Sequence, residues 1–290
     1  MSPSSSDAAR RDPDPVAPPP PLGHGLTYGS YLKLPELLGL QHEVSSPPHH
    51  DELFFIVIHQ TYELWFKECL HESDLLVAHL RAGSISRSLK VLKRVNAIVD
   101  LLVNQIRLLA TLTPVEFAGF RDRLRPASGF QSWQFRELEF LYGHREPAFF
   151  QYFAAEPEGL AALRRRAAAP SLWDEFIACF HRAGYAVEPA LLNRDVTKPY
   201  ELNPALMGEI KRVYEQPHEN YHWVLMFEAL LDLDALFRLW RSTHVAMVAR
   251  TIGHKRGTGG SSGVDFLRSR ENISFFPELW EVRSAIGGAY

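Results

Sequence analysis

The stretch LLDLDALFRLWRSTHVAMVARTIGHKRGTGGSSG, residues Leu230–Gly263, decides the fold that we expect. It reads as one long helix that runs into a glycine-rich loop. The apolar and aromatic residues that recur along it, with the period of about 3.6 residues typical of a helix, are Leu233, Phe237, Trp240, Met247 and Thr251. His244 falls on the same stripe, so the sequence predicts an imidazole that points into the core.

A buried neutral imidazole needs a partner for each of its ring nitrogens. Hydrogen bonds within the core satisfy most buried histidines. A metal ion on one nitrogen, with a carboxylate, a carbonyl or a water on the other, satisfies the ring equally well. The helix by itself leaves both interpretations of His244 open.

The loop that follows the helix has the composition of an anion-binding segment. Lys255 and Arg256 precede Gly257–Gly263, in which four residues are glycine and three carry hydroxyl groups. Such a segment presents backbone N–H groups and hydroxyls to an anion. It is not a P-loop, because no Gly-Lys-Ser/Thr closes it, and it is not G-x-G-x-x-G, because Ser262 takes the position of the last glycine. A plain flexible linker is the alternative.

Composition narrows the class of protein. The chain has 290 residues, 46% of them hydrophobic, and a net charge of −3, so it can bury a sizeable core and carries no basic block for nucleic acid. Its two cysteines, Cys69 and Cys179, lie in apolar helical contexts, which favours reduced thiols. No apolar run approaches the roughly 18–20 residues of a membrane span. We expect a cytoplasmic protein with no nucleic-acid and no membrane partner.

The pattern along the chain predicts an all-α protein with one large domain. Residues 1–22 contain seven prolines and few large apolar groups, so we expect a disordered tail there and a single helical domain over residues 23–290. Helices are predicted from Asp51 onward, over Ile85–Leu112, from Thr113-Pro114 onward and over Met207–Glu228.

A second histidine lies on an aromatic stripe in the helix that starts near Asp51. The residues that share this stripe are Phe55, His59, Tyr62, Phe66 and Cys69. Further along, Arg121 follows Phe117 by four residues, which brings a guanidinium beside an aromatic pocket on one helix face. A solvated surface arginine is the alternative for Arg121.

The pentapeptide His218-Glu219-Asn220-Tyr221-His222 matches H-E-x-x-H. On a regular helix it would present two imidazoles for Zn²⁺, with Glu219 polarising a water. The continuation expected of a zinc protease is missing, because Leu225 and Glu228 stand where glycine and histidine belong. A zinc hydrolase through His218 and His222 is therefore a minor alternative.

Four stretches of the chain resemble the tryptophan 2,3-dioxygenase family. They are LTYGSYLKLPELL (26–38), HDELFFIVIHQTYELWFKE (50–68), TPVEFAGFRDRLRPASGFQSWQFRELE (113–139) and WRSTHVAMVARTIGHKRGTGGSSGVDFLR (240–268). The resemblance implies an all-helical, cytoplasmic homotetramer that binds haem b and opens the indole ring of L-tryptophan with O₂, giving N-formylkynurenine in tryptophan catabolism.

The resemblance also implies a role for each candidate site residue. His244 is expected to be the iron ligand, and His59 the catalytic residue that contacts the indole N–H. Substrate-binding residues are expected to be Phe55 and Phe117 at the indole, Arg121 at the carboxylate, Thr258 at the amino-acid end, and Tyr28, Tyr31 and Leu32 from a neighbouring subunit. Ser128 and Trp133 are expected beside the haem.

Two features of the chain depart from the family pattern. Phe117 stands where some members have tyrosine, and Trp133 where a smaller aliphatic residue is common. Relatives that insert one oxygen atom into a methylated tryptophan, giving an oxindole, share the same motifs, so a haem monooxygenase is one alternative. A non-enzymatic haem sensor is another, although a sensor has no need of Arg121 as a carboxylate-binding residue.

Overall fold

The computed structural model describes residues 25–287, and the predicted tail over residues 1–22 lies outside this part. Over residues 25–287 the chain forms α-helices and short 3-10 helices without a strand, which confirms the all-α prediction. The α-helices are α1 (Tyr28–Leu32), α2 (Leu34–Leu38), α3 (His50–Arg81), α4 (Ile85–Leu109), α5 (Pro114–Arg121), α6 (Trp133–Tyr142), α7 (Pro157–Ala168), α8 (Leu172–Arg182), α9 (Pro189–Leu192), α10 (Pro204–Glu215), α11 (Pro217–Ile252), α12 (Val264–Arg268) and α13 (Pro277–Glu281). The 3-10 helices span Asp122–Leu124, Gly129–Gln131, Pro147–Phe153 and Val282–Ser284.

The backbone divides into two compact units, one up to His42 and one from Glu43 onward. In the first unit, α1 begins with a capping box in which Thr27 and Ser30 exchange hydrogen bonds. Lys33 adopts a left-handed conformation (φ 53°) between α1 and α2. Neither helix of this unit buries a residue. The prediction of one domain over residues 23–290 stays a prediction.

Three long helices, α3, α4 and α11, form the frame of the second unit, with α4 packed against both of the others. Asp51 and Glu52 lie in the first turn of α3, where carboxylates interact favourably with the helix dipole. Apolar side chains along α4, such as Leu92 and Val95, are fully buried. Packing of these apolar faces, more than intrinsic propensity, is what holds such helices in place.

Prolines decide where several helices begin. The predicted helix over Met207–Glu228 is wrong in its bounds, since α10 ends at Glu215 and α11 starts at Pro217. A proline fits the first turn of a helix but interrupts one that is already running. The predicted start at Thr113-Pro114 is confirmed, and Thr113 forms a capping box with Glu116.

A buried carboxylate ties the C-terminal segment to α11. The Oδ2 atom of Asp234 accepts hydrogen bonds from the backbone N–H groups of Phe275 (2.8 Å) and Phe276 (3.1 Å) and from the Trp280 indole (3.0 Å). This fixes the segment after α12 beside the helix that carries His244.

None of the helices over residues 25–287 is long and apolar enough to cross a membrane by itself.

Candidate active site

One cavity in the second unit, with a volume of about 280 Å³, collects most of the predicted site residues. Helices α3, α5 and α11 and the loop before α12 each contribute to its lining. The predicted residues that line it are Phe55, His59, Phe117, Arg121, Ser128, His244 and Thr258. Residues as far apart in the chain as Phe55 and Thr258 therefore meet around one space.

His244 has the chemical form that an iron ligand requires. Its imidazole stacks on the Trp240 ring, with centroids 5.1 Å apart and planes at 22°. Burial, with a smaller contribution from His59, lowers the pKa of His244 to about 4, so the ring is neutral near pH 7. A neutral imidazole on an apolar wall offers a nitrogen lone pair to a metal ion.

His59 is held in one tautomer. Its Nδ1 atom lies 2.7 Å from the carbonyl oxygen of Phe55. A carbonyl only accepts, so Nδ1 carries the proton and Nε2 keeps a lone pair. Burial lowers the pKa of His59, although the Phe55 carbonyl and the Glu63 carboxylate oppose the shift. The neutral ring can therefore accept a hydrogen bond from an N–H group at Nε2.

Aromatic rings form the wall beside His59. The Phe55 ring lies 4.1 Å from the His59 ring and 5.6 Å from the Phe117 ring, measured between centroids. Phe120 is fully buried behind them and meets Phe117 edge-on at 5.5 Å. Such a wall suits a flat apolar ligand and keeps water away from it.

Arg121 is a buried cation that has no anionic partner within residues 25–287. Its side chain is 9% exposed, and the guanidinium lies 5.9 Å from the centroid of the Phe117 ring. Nη2 donates to the backbone carbonyl of Arg256, whereas Nε has no partner among residues 25–287. The ion pairs found over the same residues do not include Arg121. An uncompensated buried charge is costly, so this position suits the anionic group of a ligand.

The glycine-rich loop closes on itself over Ser128. The Gly257 N–H donates to the Ser261 carbonyl (3.2 Å), and a Cβ atom on Gly259 would lie 2.8 Å from Cβ of Ser128. Gly263 has φ +69°, and a Cβ there would lie 2.6 Å from the Lys255 carbonyl. Glycine is therefore required at both positions for the loop to lie this close.

Four other predicted residues are not among the residues that line this cavity. Trp133 is not among the residues that line the cavity; it packs on Gly159, where an added Cβ would lie 2.6 Å from Cγ of the indole. Tyr28, Tyr31 and Leu32 belong to the first unit and are exposed. The roles expected for these four residues stay predictions.

Sequence reasoning missed a group of charged residues on the cavity wall. Arg136 and Glu139 come from α6, Arg241 from α11 and Arg270 from the segment after α12. Arg136 and Glu139 are three residues apart, which was the only available signal, and such pairs are usually solvated. Their meeting with Arg241 depends on how α6 packs against α11.

The zinc alternative finds no support in the structure. His218 and His222 are exposed, and Asn220 between them has non-helical angles (φ −119°, ψ 16°). Among residues 25–287, no group of three or more His, Cys, Asp or Glu side chains could hold a metal ion. A single imidazole on an apolar wall, as at His244, is instead what haem iron needs from a protein.

Comparison with known proteins agrees with this geometry. The family described as tryptophan 2,3-dioxygenase matches residues 21–161 and 193–286. The tryptophan 2,3-dioxygenase of Herpetosiphon aurantiacus is 47% identical over 263 residues, which cover 91% of this chain and 99% of that protein. Those of Xanthomonas euvesicatoria and Xanthomonas campestris are each 44% identical over 262 residues, covering 90% of this chain and 88% of each relative.

Proposed function

This chain belongs to the tryptophan 2,3-dioxygenase family, and we propose that it opens the indole ring of L-tryptophan with O₂ to give N-formylkynurenine. The observation that carries the proposal is Arg121, a buried guanidinium with an unused donor that lines the same cavity as His59 and His244. The substrate carboxylate would accept charge-assisted hydrogen bonds from this guanidinium.

The family is haem-dependent, and the residues of the cavity fit that group. His244 would hold the iron through its neutral imidazole, and we propose haem b as the form that binds. When bound, haem supplies the iron that activates O₂, which the side chains by themselves cannot do. The lowered pKa of His244 keeps its imidazole neutral, so the ring meets this need without a further change in protonation.

The side chains of the cavity orient the substrate. We propose that His59 accepts a hydrogen bond from the indole N–H at Nε2, while Phe55 and Phe117 contact the indole faces. Arg121 binds the carboxylate and Thr258 the amino-acid end. Because His59 is neutral and fixed by the Phe55 carbonyl, its role is to orient the indole, and it need not remove the proton first.

The glycine-rich loop excludes water from the site. The carbonyl of Arg256 accepts from Arg121, so the residue that binds the carboxylate also holds the loop. A closed loop keeps both atoms of O₂ beside the indole C2–C3 bond until each has formed a bond to carbon. The product of this reaction contains the substrate and both oxygen atoms, with no external reductant.

The reaction is tested with ¹⁸O₂ and the purified, haem-loaded protein. We expect N-formylkynurenine that carries two labelled atoms, formed without added reductant. An oxindole with one labelled atom, formed only when reductant is present, would instead assign the protein to monooxygenation. Haem binding without turnover of tryptophan or a methylated tryptophan would indicate a sensor.

We further propose a cytoplasmic homotetramer. Apolar side chains remain exposed along α3 and α4, namely Leu53, Val57, Leu64, Leu101 and Leu108, and exposed apolar stripes usually mark interfaces. The buried free thiols of Cys69 and Cys179 suit a reducing compartment. Sedimentation analysis tests the assembly, and a monomer at micromolar concentration would contradict it.

Tyr28, Tyr31 and Leu32 are proposed to reach the active site of a neighbouring subunit. If they do, a Tyr31→Ala subunit and an Arg121→Met subunit each lack a different part of a shared site. Mixed oligomers of the two inactive variants should regain activity, since some sites then receive both intact parts. Absence of any recovery in verified mixed oligomers would contradict sharing.

A further inference from the structure

Arg136 lies on the cavity wall in an aromatic surround. Arg136 is 8% exposed, and its Nη1 atom donates a hydrogen bond to Oε2 of Glu139 at 2.5 Å. The guanidinium carbon lies 4.3 Å from the centroid of the Phe149 ring and 5.0 Å from that of Phe130. Arg270 approaches the same Phe149 ring at 5.4 Å, so the two cations share one aromatic neighbour.

Arg136 shares its one carboxylate partner among residues 25–287 with a second guanidinium. Arg241 donates to Oε1 of Glu139 at 3.1 Å, and Arg270 pairs with Glu146 at 2.5 Å. The Asp234 carboxylate also acts on Arg241, and Glu146 serves Arg270, so Arg136 has only a share of one carboxylate, Glu139. The neighbouring His144 adds no positive charge here, because burial lowers the pKa of this imidazole.

Arg136 also has an unused donor. Its Nε atom is buried and has no hydrogen-bond partner among residues 25–287. A buried donor without a protein partner is uncommon and is satisfied by a group from outside the chain, such as a water, an ion or a ligand. Since Arg136, Arg241 and Arg270 all line the cavity, that group has access from the cavity side.

Contacts between rings assign Arg136 to the side of His244. Arg136 lies 5.4 Å from the Phe135 ring, Phe135 lies 4.8 Å from Trp240, and Trp240 stacks on His244. The corresponding contacts of Arg121 lead through Phe117 and Phe55 to His59. The cavity therefore has two cationic positions, one associated with each histidine.

We propose that Arg136, supported by Arg270, binds a propionate carboxylate of the tetrapyrrole whose iron His244 holds. This inference rests on the proposed function. The ligand chemistry is a carboxylate, and the cavity has two sources of one: the propionates of haem and the carboxylate of tryptophan. Arg121 serves the substrate on the His59 side, so Arg136 is left for the cofactor, which carries two such groups.

The experiment compares haem with its dimethyl ester, which keeps the iron and the ring but has no free carboxylate. The haem-free full-length chain is titrated with each compound, and binding is followed by the Soret absorption. The wild-type chain should bind haem more tightly than the ester by about tenfold or more, since a desolvated ion pair is lost. In Arg136→Met this preference should fall about tenfold, with affinity for the ester unchanged.

Two variants separate carboxylate binding from a structural role. Glu139→Gln breaks the same internal ion pair but keeps the Arg136 cation, so it should retain the preference for haem over its ester. Arg136→Lys keeps the charge without the forked donors and should retain part of it. The rate of haem loss from the purified, loaded protein gives a second measurement, and Arg136→Met should lose haem about tenfold faster.

A comparison of tryptophan with tryptamine as substrates distinguishes the two sources of carboxylate. The ratio of kcat/KM for tryptophan to that for tryptamine should be the same in Arg136→Met and wild type. A change in this ratio, with the preference for haem over its ester intact, would overturn the assignment in favour of the substrate. Equal loss of affinity for haem and the ester would overturn it in favour of a structural role. If the wild-type chain bound neither compound, the proposed function itself would fail.

Discussion

Two buried polar regions of this chain differ in how fully their groups are paired. Around Glu278, both carboxylate oxygens have donors: Trp173 Nε1 at 3.1 Å on one, and the Tyr200 hydroxyl (2.6 Å) and the Asn203 N–H (2.8 Å) on the other. In the cavity, Arg121 donates to one loop carbonyl, and its Nε has no partner in the described part of the chain.

The difference separates groups that stabilise the fold from groups that await a ligand. A buried polar group with all its partners fixes the packing of the elements around it. A buried polar group without a partner destabilises the free protein, and a ligand that binds there removes this destabilisation. Such groups are therefore found at functional sites. Substitutions in the two regions should therefore change different properties of the protein.

The largest effect is expected at His244. His244→Ala removes the proposed iron ligand, and loss of groups that only support a ligand already weakens metal binding by about 10–100-fold, so a larger loss is expected here. The Soret band of the purified variant should be nearly absent and should return in part with added imidazole. His222→Ala, an exposed histidine, is the control and should keep full haem. Full haem occupancy in His244→Ala would refute the assignment.

The next effect is expected at Arg121, where the buried guanidinium would lose its carboxylate ligand. Arg121→Met should weaken transition-state binding of tryptophan by about 2–5 kcal/mol, as for other desolvated charge pairs. Tryptamine, which has no carboxylate, should be affected far less. Arg123→Met changes an exposed arginine on the same segment and serves as the matched control. Equal losses for tryptophan and tryptamine in Arg121→Met would remove its proposed role.

Gly259→Ala tests how closely the loop must approach Ser128. The added Cβ would lie 2.8 Å from Cβ of Ser128, and relief of such overpacking typically costs about 1–3 kcal/mol. We expect KM for tryptophan to rise about tenfold, with little change in the unfolding temperature, because the contact lies in a loop. Ser128→Gly removes the opposing atom and should restore KM in the double variant. If the single variant binds tryptophan normally, the close approach is not needed for function.

The smallest effect on activity is expected at Asp174, which follows Trp173 in α8 and so borders the fully paired region around Glu278. Burial disfavours its charged form, but hydrogen bonds from Arg194 (2.6 Å) and Ser171 hold the pKa of this carboxyl below its usual value of 3.8. A lowered pKa stabilises the fold above pH 3.8, and the contribution is lost as the pH falls through the folded-state pKa. Asp174→Asn should lower the free energy of unfolding by about 1–3 kcal/mol at pH 7.

Activity and pH dependence check this assignment of Asp174. Haem content and kcat/KM of Asp174→Asn should match wild type at a temperature where both are folded. Chemical unfolding at several pH values should show the stability difference shrinking as the pH falls below 3.8. A variant with normal stability and impaired catalysis would contradict the distinction drawn between the two regions.

The sequence by itself determined the all-α class and several helices, and it supplied the candidate site residues. The apolar stripe through Trp240 and Met247 predicted the helix that carries His244, and Thr113-Pro114 predicted the start of α5. These features are local, because helical periodicity and capping depend on residues within a turn or two of each other. The long matching stretches then identified the family, which the comparisons confirm.

Only the tertiary structure decided which of these residues meet and in what state. The tautomer of His59 depends on where the Phe55 carbonyl lies, and the lowered pKa of His244 depends on burial. The sequence leaves open whether Arg121 is a surface residue, and the packing of α5 beside the loop buries it. Arg136 comes to share Glu139 with Arg241 only when α6 and α11 pack together. Burial and pairing arise from contacts between segments far apart in the chain, and periodicity within one segment carries no information about them.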